Sequence, residues 1–199
     1  MTRTVYVNGE FLFETEAKVS IFDRGFLFAD GIYEVTAVLE EKLVGWDGHI
    51  NRLKRSLSEI EMSMPEDESK ILDIHRELIK RNRLSEGLVY MQITRGDTDR
   101  DFLIAGGLKP SLIMFTQEIN LLDPIRLNRG LRIMTHDDIR WCRSDIKTIQ
   151  LLASSLIKTD AISRGFDDAW LVRNGYVTEG TSSNAFIVNS DNEIITRNL

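Results

Sequence analysis

Cysteine is nearly absent from this chain: Cys142 stands alone, which excludes an intrachain disulfide and any cysteine-built metal site. A reducing cytoplasm is the expected setting. The three histidines, His49, His75 and His136, are scattered without ligand-like spacing, so no metal is expected. Long apolar runs are missing too. Ser111-Leu-Ile-Met-Phe and Leu151-Leu-Ala fall far short of the ~20 residues of a membrane span. The N-terminus lacks the charged, apolar and small-residue regions of a signal peptide. Neither a Walker loop nor a dinucleotide fingerprint occurs, and no repeat or low-complexity segment is present. The net charge of -6 opposes a sequence-independent hold on nucleic acid or an anionic membrane. What remains is a globular chain of 199 residues, 42% hydrophobic, whose expected partners are small molecules.

The order of elements is written in turn residues and apolar spacing. Asn8-Gly9, between Thr4-Val-Tyr-Val and Glu10-Phe-Leu-Phe-Glu, predicts a hairpin. Ile32 to Leu39 and Lys42 to Trp46 predict a second strand pair around Glu40-Glu41, after which Asp47 is placed as a helix N-cap. Ile50, Leu53, Leu57 and Ile60 then recur at helical spacing. A second helix is expected between Pro65 and Arg83. Leu88–Arg95 and Ser111–Gln117 read as strands around a polar stretch from Gly96 to Pro110, of the kind that carries function on a rigid scaffold. A domain boundary is placed at 120–125, separating 1–119 from 126–199. Beyond it Leu131-Arg-Ile-Met-Thr restarts a sheet, Ile146 to Arg164 reads as a helix closed by Gly165, and Asn174-Gly175 signals another hairpin. Ala185-Phe-Ile-Val-Asn and Glu193-Ile-Ile-Thr-Arg are expected to extend that sheet.

Some residues stand out chemically. Lys147 falls in the first turn of the expected helix, where the macrodipole disfavours a cation. It is either a surface lysine or an amine whose charge is altered by chemistry or used on a ligand. Thr178-Glu-Gly-Thr-Ser-Ser-Asn offers a carboxylate, hydroxyls and a glycine that lets backbone amides approach an anion; a capped turn reads equally well. Arg52 on the first long helix is suited to clamping a phosphate, or belongs with Lys54 and Arg55 to a solvated face.

Taken together, Asp23-Arg-Gly-Phe-Leu-Phe-Ala-Asp-Gly-Ile-Tyr-Glu-Val, His49-Ile-Asn-Arg-Leu, Asp138-Ile-Arg-Trp-Cys-Arg-Ser-Asp-Ile-Lys and Thr178-Glu-Gly-Thr-Ser-Ser-Asn resemble the class IV (fold type IV) aminotransferases, most of all the D-amino-acid-specific ones. The resemblance implies a two-domain α/β (α+β) protein, an N-terminal α/β sandwich followed by a C-terminal pseudo-barrel, using pyridoxal 5′-phosphate to move an amino group from an amino acid such as D-alanine to a 2-oxo acid such as 2-oxoglutarate. It implies that Lys147 binds the cofactor covalently, that Glu179 faces the pyridine nitrogen, that Arg52 binds the phosphate, and that Ser182 and Asn184 line the cofactor. Tyr33 would face the substrate. Arg100 would reach the substrate carboxylate from the neighbouring subunit of a homodimer, with the active site near the interface. Two features depart from the pattern: Phe102 stands where the D-specific enzymes carry a histidine, and Leu199 comes where the family continues into a Gly-Ile-Thr-Arg phosphate-binding turn, so the second domain is expected to be incomplete here. A branched-chain L-aminotransferase and an aminodeoxychorismate lyase of the same fold are the alternatives, with a non-catalytic binding protein more remote.

Overall fold

The computed structural model describes residues 2–123 and 128–197. Its first compact unit spans Met1–Leu121 and takes in Ile146–Ile149, while Leu122–Asp145 and Gln150–Leu199 make the second. Of the expected linker, residues 124 and 125 lie outside the described part, as do Met1, 126–127, Asn198 and Leu199.

The first unit is built on a six-stranded sheet of order β2-β1-β6-β5-β3-β4, with antiparallel neighbours throughout. Its strands are β1 (Thr4–Val7), β2 (Glu10–Phe13), β3 (Gly31–Leu39), β4 (Lys42–Leu43), β5 (Glu86–Thr94) and β6 (Ser111–Glu118). Alternation sets the two faces of the sheet. Ile32, Glu34, Thr36 and Val38 of β3 point one way with Val89, Met91 and Ile93 of β5 and with Leu112 and Met114 of β6, and all are buried. Helices α2 (Trp46–Glu59) and α3 (Glu68–Asn82) contribute Ile50, Leu53, Leu57, Ile71, Ile74 and Leu78 to the same core. A short α1 (Arg24–Phe28) precedes β3, capped by Asp23, whose carboxylate accepts from the Gly25 amide at 2.7 Å.

In the second unit β7 (Ile133–Asp137) lies parallel to β8 (Asp168–Arg173), and β9 (Tyr176–Gly180) returns antiparallel to β8. Helix α4 (Leu152–Ser163) belongs to the β7–β8 crossover and packs Ile157 and Ala161 on Ala169, Leu171 and Met134.

Several expectations need correction. Asp47 is not the cap of α2: Gly45, at φ 68, holds the N-cap position, and Asp47 lies in the first turn, where its charge still suits the helix N-terminus. The strand expected over Lys42–Trp46 ends at Leu43, because Trp46 already opens the helix. The helix expected from Ile146 begins only at Leu152. Its apolar spacing has a different origin, since residues 146–149 run extended along β3. Strands β10 (Phe186–Val188) and β11 (Ile194–Thr196) pair only with each other instead of extending the β7–β8–β9 sheet.

Candidate functional site

Lys147 owes its place to an unfilled sheet edge. β4 covers β3 only at Val38 and Leu39, so the other end of β3 would have unpaired backbone groups, and these demand partners. The strip Ile146–Ile149 supplies them: the Tyr33 amide donates to the Lys147 carbonyl at 3.0 Å, and the Ile149 amide donates to the Gly31 carbonyl at 3.1 Å. Ile146 anchors the strip in the core. Gly31 is needed for this approach, since a Cβ there would lie 2.8 Å from the Ile93 carbonyl and 3.0 Å from Ile149 Cδ1. Lys147 is therefore not in the first turn of a helix, and the macrodipole has no part in its chemistry.

Its side chain is half-buried, with Nζ 4.1 Å from the centre of the Tyr33 ring. That ring stacks in turn on Tyr90, with centroids 5.8 Å apart. Among the described residues no carboxylate forms an ion pair with Lys147, whose charge is felt by Glu34. Glu34 points to the inner face of β3 and is fully buried, held by Arg52 through two 2.7 Å bonds from Nε and Nη2 and by His49 Nδ1 at 2.8 Å. Burial pushes the Glu34 carboxyl up, but Arg52 and His49, with Lys147 adding its charge, overcome this and hold it below the usual glutamate value. His49 and Arg52, three residues apart on α2, share one helix face toward that carboxylate.

In the second unit Glu179, on β9, accepts from Arg140 Nη1. Arg140 is gripped from its other side by Asp138, through Nε and Nη2 at 3.0 Å each. Thr178 Oγ1 donates to the same carboxylate at 2.9 Å, and Arg173 lies 3.1 Å from it. Burial alone would raise Asp138; the Arg140 and Thr178 bonds outweigh it and leave the pKa at about 2. The turn after β9 is drawn tight where the Gly180 amide donates to the Ser183 carbonyl at 2.6 Å, and a Cβ on Gly180 would collide with Ser183 Oγ at 2.4 Å. Asp168 steadies the turn by accepting from Thr181 Oγ1 at 2.5 Å. Ser182 and Asn184 sit beyond it, exposed.

The class IV amino-transferase family model matches residues 31–199. The chain belongs to that family. Among its class IV relatives, D-alanine aminotransferase of Bacillus licheniformis is 37% identical over 183 residues, 92% of this chain and 64% of the relative. D-alanine aminotransferase of Staphylococcus haemolyticus is 38% identical over 186 residues, 92% of this chain and 65% of the relative. The chain thus spans a little under two thirds of the curated relatives it matches. Among solved class IV folds, the Escherichia coli branched-chain amino acid aminotransferase superposes with a TM-score of 0.85 at 19% identity, covering 96% of this chain and 66% of that one. The branched-chain aminotransferase of the archaeon Thermoproteus uzoniensis, solved with norvaline, gives 0.79 at 22%, covering 96% and 66%. At these identities the structures speak for the fold.

Against the class IV expectations, the first unit brings Lys147 onto the Tyr33 ring and Arg52 onto Glu34, and the second carries Glu179 on β9 with Ser182 and Asn184 in the turn that follows. Arg100 lies on the exposed stretch after β5, its guanidinium 5.5 Å from the ring centres of both Phe28 and Phe102. Sequence reasoning missed Glu34, Asp138 and Arg140 as site-shaping residues. Glu34 carried a signal: a carboxylate between Ile32 and Thr36 on the buried side of an alternating strand needs cationic partners, and Arg52 is one.

Proposed function

We propose that this protein is a pyridoxal-phosphate-dependent transaminase that moves the amino group of a D-amino acid such as D-alanine to a 2-oxo acid such as 2-oxoglutarate, working as a homodimer in the cytoplasm. The observation that carries the reading is the half-buried Lys147 amine, free of any ion pair among the described residues and resting on the Tyr33 ring. The 37–38% identity to two D-alanine aminotransferases supports the choice of substrate.

The residues present suit the cofactor. Lys147 is an amine in no ion pair among the described residues, Arg52 is a guanidinium already oriented by a buried anion, and Glu179 is a carboxylate fixed by Arg140. Lys147 would bind the aldehyde, Arg52 the phosphate and Glu179 the protonated ring nitrogen, with Ser182 and Asn184 lining the group. Pyridoxal phosphate supplies an electron sink for charge developing at the substrate Cα. Lys147 Nζ takes the proton from that carbon, acting as a general base whose reach is set by the strip on β3. Tyr33 keeps the amine on one side. Arg100 binds the substrate carboxylate from the partner subunit, and a guanidinium suits that task through its paired donors.

A panel of D- and L-amino acids decides the substrate. The protein loaded with pyridoxal phosphate is expected to be yellow, to bleach with D-alanine and to recover its colour with 2-oxoglutarate. Bleaching by branched-chain L-amino acids alone would transfer the assignment to the L-specific members of the family. Pyruvate release that needs no oxo-acid acceptor would point to the lyase.

A further inference from the structure

We propose that Asp30 is a positioning residue for the loop that presents Arg100, acting through Arg24; this rests on the reading of Arg100 as the substrate-carboxylate arm. Asp30 Oδ2 accepts from Arg24 Nε and from Arg95 Nε, both at 2.8 Å. Both side chains are buried, Arg24 at 4% exposure and Arg95 at 9%, so two guanidiniums share one carboxylate in a poorly hydrated place, where its charge is most strongly felt. Each arginine then reaches out to main chain. Arg95 donates to the Ile60 carbonyl at 2.8 Å and the Glu61 carbonyl at 3.3 Å, just past the end of α2, the helix that carries His49 and Arg52. Arg24 Nη1 donates to the carbonyl of Asp101 at 2.7 Å, the residue after Arg100.

Further contacts converge on the same loop. The Arg24 amide donates to the Gly96 carbonyl at 2.8 Å and the Thr98 amide to the Phe22 carbonyl at 3.3 Å, closing the base of the loop. Gly96 is required there, because a Cβ would lie 2.1 Å from the Lys109 carbonyl. The Arg24 guanidinium lies over Phe28 at 4.6 Å, and Phe28 meets Phe102 edge-on at 5.4 Å. Arg100 thus lies by two rings, Phe28 in contact with Arg24 and Phe102 in contact with Phe28, and Phe102 acts as part of its platform, a role a polar side chain would not fill in the same way.

The test compares Arg24→Gln, Arg24→Lys, Asp30→Asn and Arg100→Ala with the unaltered, cofactor-loaded protein, using D-alanine and 2-oxoglutarate, alongside hydrogen exchange of amides 99–104. Arg24→Gln is expected to raise the KM for D-alanine by about ten-fold, the scale of one charge-assisted hydrogen bond, with kcat changed less. Exchange of amides 99–104 should quicken, and Arg24→Lys should restore part of both. Asp30→Asn should act in the same direction; if it does not fold, the Arg24 variants decide. An unchanged KM or unchanged exchange in Arg24→Gln, with KM raised in Arg100→Ala, would overturn the positioning role alone. An unchanged KM in Arg100→Ala would overturn the reading of Arg100, and this inference with it.

Discussion

At the scale of single residues the first unit is organised around two buried titratable groups treated in opposite ways. Glu34 is kept ionised by Arg52 and His49, so Glu34→Gln removes the buried charge that both of them hold. The expected cost is about 3 kcal/mol in urea denaturation, together with weaker binding of pyridoxal phosphate. The folded pKa of Glu34 lies below its ordinary 4.5. Its contribution is therefore full above pH 4.5 and is lost as pH falls through the lowered value. His75 is kept neutral instead. It is fully buried, its Nδ1 is 2.8 Å from the Ile71 carbonyl, its Nε2 has no partner among the described residues, and burial lowers its pKa to about 4. Below pH 6.5 the unfolded chain binds a proton at this position that the folded chain refuses. Stability should fall by up to about 1.4 kcal/mol per pH unit from 6.5 down to about 4. His75→Phe should flatten that part of a pH series of urea midpoints; an unaltered slope would contradict the assignment.

At the scale of elements, two tight turns test local backbone chemistry. Glu40 and Glu41, between β3 and β4, have φ of 48 and 63, values that suit Asn-Gly far better than two glutamates. Replacing them with Asn-Gly should raise stability by about 1 kcal/mol, read as a higher melting temperature. Gly45→Ala, at φ 68 on the α2 cap, should lower it by about as much. The Asn8-Gly9 and Asn174-Gly175 hairpins and α3 were legible from the sequence because their signals are local: turn residues and apolar spacing within a few positions. The strip carrying Lys147 was not legible. Ile146 and Ile149 have helical spacing, yet the groups that hold them extended are the Gly31 carbonyl and the Tyr33 amide, far earlier in the chain. Tertiary pairing overrode propensity there. The same holds for Glu34, whose partners come from another element, and for Arg140, one of whose two carboxylate partners, Glu179, lies far later in the chain. Gly31→Ala should displace the strip and reduce covalent retention of the cofactor more than it reduces helix content, a difference read by borohydride trapping beside circular dichroism.

At the scale of the molecule, the exposed apolar surface of the first unit fits the proposed homodimer. Phe26 at 77%, Leu103 at 76% and Ile21 at 69% exposure belong to two segments joined by the Thr98–Phe22 hydrogen bond, and burying such side chains against a second copy would remove apolar surface from water. Phe26→Glu is expected to shift the sedimentation coefficient from dimer to monomer and to lower activity, since Arg100 would no longer be presented to a partner. Among the described residues no helix is long and apolar enough to cross a membrane. The position of Lys147 is the point on which the whole reading turns, and it can be examined directly. Protein loaded with pyridoxal phosphate, reduced with borohydride and digested, should carry the phosphopyridoxyl mass on the peptide containing Lys147, and Lys147→Ala should carry none. The same mass on another lysine of the unaltered protein, or retained in Lys147→Ala, would contradict the account.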